Sequence, residues 1–464
     1  MSERIVVGGS IAALVAADAL AARGEHVRLL LPERGVGGGF AAIRREGRVL
    51  ELGVRLLELA YEGTSPTPPP LSDYRPALGA HRPYAATIDA WTRELLNGRV
   101  QEVARPRMFF DGRIVDDLYF TTDVLALREA LDPVERAEIA EQAQTATDET
   151  GSDAGLLDPS RASELEELSA AMASRRNHGE RFHDRFIAPI AEKIVAGGAE
   201  DVPASMRRKI WIPLFWPATL AQACNGGEVA FRPERPFHTV TPDGCGDLVE
   251  ALRARIESAE CTRVETAGRL ERLAPASGEE LELTFSTLGA LHARHPILGS
   301  APGELFAAAG TDYSPASARS VICWLEASPE DLNEEVPSLL NVVDRELPTL
   351  RVSSSGRGAP GTQLLTVELR HDTPEGEIPA AAIASLQHIG LLREGARVNV
   401  VMSAAAATFA LPTRENSASF SHAHDRLLGL DLDAEIVGGA CDFGADALGE
   451  QIVQGLRAAE ALSS

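Results

Sequence analysis

At 464 residues the chain is long for one hydrophobic core and suits two domains. A formal net charge of -24 argues against nucleic acid and anionic membrane surfaces as partners, and the 44% of hydrophobic residues include no uninterrupted apolar run of membrane-spanning length. Cys224, Cys245, Cys261, Cys323 and Cys441 are scattered and form no C-x-x-C pair, which fits reduced thiols in a cytoplasm and gives no disulfide framework and no metal site.

Arg4-Ile5-Val6-Val7 is a strand-forming run that enters at once, so no signal peptide is expected. Ala12 to Arg23 has helical spacing and stops at Gly24; a second strand follows from His26 to Leu31. Strand, tight turn, helix and strand make the βαβ unit that holds a dinucleotide at the helix N-terminus, where free backbone N–H groups and the helix dipole meet the pyrophosphate. The G-x-G-x-x-G core reads Gly8-Gly9-Ser10-Ile11-Ala12-Ala13. Gly8 can make the turn and Ala13 is an accepted third member, while Ser10 puts a Cβ where the backbone approaches phosphate. Leu31 stands where an Asp or Glu should meet the adenosine ribose, and Glu33 lies beyond Pro32. Losing such a hydrogen bond, roughly 1.5–3 kcal/mol, weakens binding on the order of ten- to a hundredfold.

A second glycine cluster, Val36-Gly37-Gly38-Gly39, follows directly, and Glu46 to Gly53 reads as a hairpin returning toward the turn. Glu62-Gly63-Thr64-Ser65-Pro66-Thr67-Pro68-Pro69-Pro70 marks an exposed crossing. Arg107 to Arg113 predicts a hairpin, Asp123 to Leu131 a helix, the polar stretch Gln144 to Pro159 a mobile loop, and Arg161 to about Ala196 further helices. Trp211-Ile212-Pro213-Leu214-Phe215-Trp216-Pro217 is the densest aromatic cluster, able to line an apolar pocket or to pack between domains. Asp243 to Leu252 opens an amphipathic helix, strands follow around Thr262 to Glu265 and Leu281 to Phe285, and Glu435 to Gly439 is a strand ending in glycines before a helix from Ala447 to Leu462. His183 with Asp184, or His422 and His424 with Asp425, could supply a base, though histidines on polar segments are usually solvated. No Ser-His-Asp order, HExxH or P-loop occurs.

The two glycine clusters in this register resemble the flavin-dependent superfamily of amine oxidases, protoporphyrinogen oxidases and UDP-galactopyranose mutases. The resemblance extends thinly over most of the chain through Phe182 to Ile194 with Asp201-Val202-Pro203-Ala204, Phe409 to Asn416, and Gly438-Gly439 to Gln451. It implies FAD as cofactor, held by Gly8, Gly9, Ser10, Ile11, Ala12, Glu33, Arg34, Gly37, Gly38, Val264, Gly439, Asp442 and Leu448. It also implies Arg55, following Gly53-Val54, beside the flavin, and Lys193 at the family's mid-chain lysine; these are the catalytic candidates, with Trp211, Trp216 and Phe409 for a substrate pocket. The chain departs from the mutases where they carry an arginine (here Ala440), an aspartate (here Leu448) and paired tyrosines (here Asp446 and Ala447), so cationic and aromatic partners for a nucleotide sugar are missing.

The expected architecture is α/β: a discontinuous Rossmann-like FAD-binding domain over 1–62, 236–290 and 400–464, with an α+β substrate domain inserted over 63–235 and 291–399. The leading expectation is a cytoplasmic FAD-dependent oxidoreductase acting on a C–N or C–C bond of a small organic molecule. The alternatives are a redox-inactive partner subunit of the same fold in a hetero-oligomer, and a non-redox flavin enzyme such as a mutase or isomerase; the expected partners are a small-molecule substrate and the subunits of a homo- or hetero-oligomer.

Overall fold

A strand that is apolar on both faces can only sit inside a parallel sheet covered from both sides, and Ile5, Val6 and Val7 are all buried. The computed structural model describes residues 3–60, 64–65, 67–229, 236–276, 280–333, 336–354 and 356–462; the borders expected at 62–63 and 235, and Pro66 of the crossing, lie outside them. Arg4–Val7 (β1) and Val27–Leu31 (β2) pair in parallel, Val6 opposite Leu29. They belong to a five-stranded parallel sheet in the order Thr262–Thr266, β2, β1, Ile297–Leu298, Glu435–Ile436. The helix Ile11–Ala22 (α1) is buried along most of its length, because helices Gly246–Ser258 and Leu448–Ala461 pack against it on the same side of the sheet. Opposite, a three-stranded antiparallel sheet (Leu270–Pro275, Glu280–Phe285, Gly289–Arg294) and helices Pro302–Ala308 and Arg414–Leu428 close a second apolar layer.

The inserted part is a seven-stranded mixed sheet in the order Val398–Ala410, Ser317–Ala327, Gln363–Leu369, Thr349–Ser353, Leu339–Val342, Arg107–Phe110, Arg113–Asp116. All neighbours are antiparallel except Leu339–Val342 with Arg107–Phe110. Helix Ile378–Ile389 covers one core and the helical segments between 127 and 224 the other. The two parts are joined through Trp324, fully buried, whose indole N–H donates to the Glu51 carbonyl at 2.8 Å beside the hairpin Ile43–Arg45/Arg48–Leu50.

Three expectations change. Ile297–Leu298 belongs to the parallel sheet, so the border expected at 290 moves beyond the helix Pro302–Ala308; a two-residue strand has no period to read. Val398–Ala410 lies in the inserted sheet, so the final return begins with the helix at Arg414, not at 400. Residues 144–150 finish an 18-residue helix, Pro133–Thr150, instead of a loop. Asp132 caps it by accepting from the Val134 and Glu135 amides, and Ala140, Ala143 and Ala146 bury a narrow stripe that its polar composition hides.

His178 is a buried side chain that the sequence reading passed over. Its Nε2 accepts from the Phe215 amide at 2.8 Å, which leaves the ring proton on Nδ1 toward Ser174 Oγ, and burial pulls its pKa from 6.5 down to about 3. The unfolded chain therefore takes up a proton near pH 6.5 that the folded chain refuses. Stability from this ring is complete above that pH and is lost, at up to about 1.4 kcal/mol per pH unit, as pH falls toward 3. Urea midpoints of wild type and His178→Gln at pH 7, 5 and 4 should converge as pH drops; parallel curves would contradict this assignment.

Candidate functional site

The glycine turn after β1 is shaped by backbone packed on backbone. Gly8 has φ +108°, and a Cβ there would lie 2.3 Å from the carbonyl carbon of Gly299, so only glycine fits. Ser10 is the N-cap of α1: its Oγ accepts from the Ala13 amide at 3.2 Å and faces both Gly299 and Gly438, whose added Cβ atoms would come within 2.7 and 3.0 Å of it. The Ala12 amide donates to Gln451 Oε1 at 3.4 Å, and the Ser10 amide to the Gly299 carbonyl at the same distance. Gln454 Oε1 accepts from the Gly438 amide at 2.7 Å. Both glutamines are locked by their own amide groups, Gln451 on the Asp446 carbonyl and Gln454 on the Ala445 carbonyl.

A pyrophosphate needs the unengaged amides of the first helical turn and open space before them. Here the amides of Ala12 and Ala13 are taken by Gln451 and Ser10, Ile11 to Ala13 have no solvent exposure, and the Ser10 side chain stands between the turn and the C-terminal glycines. In this arrangement the residues present do not fit a bound dinucleotide.

The other expected cofactor contacts divide between residues engaged within the chain and residues exposed at its surface. Gly37, φ +84°, donates its amide to the Gly9 carbonyl at 2.7 Å, and a Cβ on it would fall 2.6 Å from Val249 Cγ1. Gly38 is exposed, and the Gly39 carbonyl accepts from Arg55 Nε and Nη2 at 3.0 and 2.7 Å, with the guanidinium 5.5 Å from the Phe40 ring centre. Arg55 thus clamps the glycine loop. Gly53 faces the Glu368 carboxylate, which accepts from the Val54 amide at 3.1 Å and pairs with Arg351 at 2.8 Å. Glu33 and Arg34 are exposed, Glu33 accepting from Thr287 Oγ1 at 3.2 Å; Val264 pairs with Leu29 inside the sheet; Gly439 packs on Pro302; Leu448 begins the terminal helix against the apolar core.

Two residues beyond Leu448, the sequence reading missed a carboxylate. Glu450 is fully buried, accepts from the Gly79 and Ala447 amides, and lies 3.4 Å from His81 Nδ1. Glu450, Gln451 and Gln454 form one buried polar patch on the terminal helix, and that spacing was the available signal.

Lys193 is buried and donates to the carbonyls of Val342, Asp344 and Thr349 at 2.7, 2.9 and 2.8 Å. Burial pulls its pKa down to about 7, opposed by the nearby Asp344 carboxylate. All three of its protons are used to hold a turn of the inserted sheet, which is a structural role and leaves none for a substrate. Trp211, at φ +60°, stacks on Phe120 at 4.1 Å and is 40% exposed; Trp216 is 54% exposed at a helix N-cap; Phe409 packs at the end of its strand. These three do not line the cavity beside the helix Arg414–Leu428.

That cavity, about 320 Å³, is lined by Leu78 and Met206, by Ser417, Phe420, His424 and Asp425 of the helix Arg414–Leu428, and by Asp442. Phe420 stacks on His424 at 5.7 Å; burial lowers the His424 pKa, and burial together with the nearby Glu450 raises Asp442 to about 6. Of the expected site residues, Asp442 is the one this cavity includes. His183 is buried within a π-helical turn, His183–Ile187, where burial lowers its pKa.

Residues 6–64 match the NAD(P)-binding Rossmann-like domain family. No curated protein sequence matches the chain. Among solved structures, a reduced UDP-galactopyranose mutase is similar over 100% of this chain and 94% of its own, at 13% identity and a TM-score of 0.68. A protein provisionally assigned as a protoporphyrinogen oxidase, from Exiguobacterium sp., is similar over 99% and 98%, at 15% identity and a TM-score of 0.63. A CLA-producing fatty acid isomerase from P. acnes follows at 14% identity and 0.56. No helix among the described residues is long and apolar enough to cross a membrane. The chain therefore has the α/β fold of these structures, with a Rossmann-like domain at residues 6–64.

Proposed function

We propose that this protein uses the flavoenzyme fold as a scaffold without a working dinucleotide site, and acts as a redox-inactive structural or regulatory partner. The observation that carries this reading is the turn at Ser10, where two first-turn amides, those of Ala12 and Ala13, are bonded to Gln451 and Ser10. Gly8 and Gly37 are accounted for by packing on Gly299 and Val249 and need no cofactor to explain them.

A second reading, an FAD-dependent oxidoreductase acting on a C–N or C–C bond of a small organic molecule, is favoured by the likeness in fold to an oxidase and a mutase. One experiment separates the two. The purified protein, incubated with excess FAD and then desalted, should show no bands at about 370 and 450 nm. Stoichiometric bands released as FAD on denaturation would overturn the first reading and establish the cofactor of the second. The double variant Ser10→Gly/Gln451→Ala frees two amides at once, and should bind ADP or FAD at least about tenfold more tightly than wild type in calorimetry.

A further inference from the structure

The seven-stranded sheet ends on two very different strands. Arg113–Asp116 is short and carries a charge at each end, one of the usual ways in which an exposed edge is kept from pairing. Val398–Ala410 is 13 residues long and contains no charge and no proline. It pairs on one side only, with Ser317–Ala327, and among the described residues no strand or isolated bridge meets its outer side. Asn399, Val400, Ala406, Ala407 and Thr408 are exposed, Val400 at 38%. Register breaks occur near Val401 and near Thr408, so Met402 to Ala407 is a regular, unbroken stretch opposite Trp324 to Arg319. The bulges bound this stretch without interrupting it.

Open main-chain donors and acceptors in a row are satisfied by another extended backbone. We propose that this backbone belongs to a second copy of the chain, the two Met402–Ala407 segments pairing antiparallel about a twofold axis into one continuous sheet. Centred on Ala405, which meets Ala405 of the partner subunit, the ladder sets Ala404 opposite Ala406 of the partner subunit and Ser403 opposite Ala407 of the partner subunit, so self-pairing sets no bulk and no like charge opposite itself. That matters for a chain of net charge -24, whose copies repel across most of their surface and approach at least cost along an uncharged run. A ladder of about 20 Å with alanine side chains gives a weak, concentration-dependent dimer.

Sedimentation velocity of the full chain over a range of concentrations, at low and at high salt, tests this. The dimer fraction should rise with concentration and with salt, since screening removes repulsion between two acidic copies. A basic peptide on the same edge would show the opposite salt dependence. Ala406→Lys puts an exposed charge into the ladder while making the chain less acidic, so general electrostatics alone would tighten association; the edge pairing predicts at least a tenfold weakening, with the circular dichroism spectrum unchanged. A wild-type monomer under every condition overturns the proposal. So does a dimer that Ala406→Lys leaves intact. Flavin uptake is read separately, so failure here leaves the functional reading above untouched.

Discussion

Gly455→Ala is expected to destabilise the protein by about 2–3 kcal/mol, where the same change in an ordinary helix stabilises by roughly 0.5–1 kcal/mol. The sign itself is diagnostic. Gly455 sits in the middle of the terminal helix Leu448–Ala461, where that helix crosses α1. A Cβ at this position would lie 2.4 Å from the Ala12 carbonyl oxygen, 2.7 Å from Val15 Cβ and 3.0 Å from the Ala16 amide. Two of these are main-chain atoms of a fully buried helix, so no rotamer change relieves the contact and the helices must separate. Separation would also pull Gln451 from the Ala12 amide and Gln454 from the Gly438 amide, coupling the packing defect to the turn. Urea denaturation of the single variant decides the matter: a midpoint equal to or above wild type would show that the helices are not in such close contact.

Lys193→Met should lower stability by about 3–5 kcal/mol, as expected for removing one partner from a buried charged network. Methionine matches the lysine stem in bulk, so the loss isolates the ammonium group from its packing. Without it the carbonyls of Val342 and Thr349 lose this donor and that of Asp344 keeps the Leu347 amide at 3.2 Å, in the space between strands Leu339–Val342 and Thr349–Ser353. The thermal midpoint should fall by many degrees while the far-ultraviolet spectrum of the remaining folded protein is retained. A change within about 0.5 kcal/mol would mean that water replaces the ammonium, and would make the lysine available for chemistry after all.

The nucleotide-type half of the fold could be read directly because its signals are local: a short apolar strand into glycine, a helical interval, and a second strand. The hairpin at Glu46-Gly47, the helix after Gly244 and the terminal helix were equally legible from turn glycines and period. What escaped was set by distance along the chain. Ser10 could be recognised as an obstacle, but that its hydroxyl, Gln451 and Gly299 together close the turn depends on residues 289 to 441 positions apart from it. Arg55 and Lys193 are well-chosen residue types for a flavin site, and chemistry alone could not foresee that both would be engaged with main-chain carbonyls. Trp211 and Trp216 show the same limit. An aromatic cluster in sequence says nothing of which rings turn outward.

The last strand and helix of the parallel sheet have a consequence for how the chain is made. Helix α1 is complete within the first 22 residues, yet the surface that shelters it comes from Gly246–Ser258 and from Leu448–Ala461. Ribosomal synthesis at about 5–20 residues per second leaves that apolar helix uncovered for on the order of tens of seconds. Throughout that interval the nascent chain offers a chaperone an uncovered apolar helix, and nucleotide-unit folding waits until Leu448–Ala461 has been made.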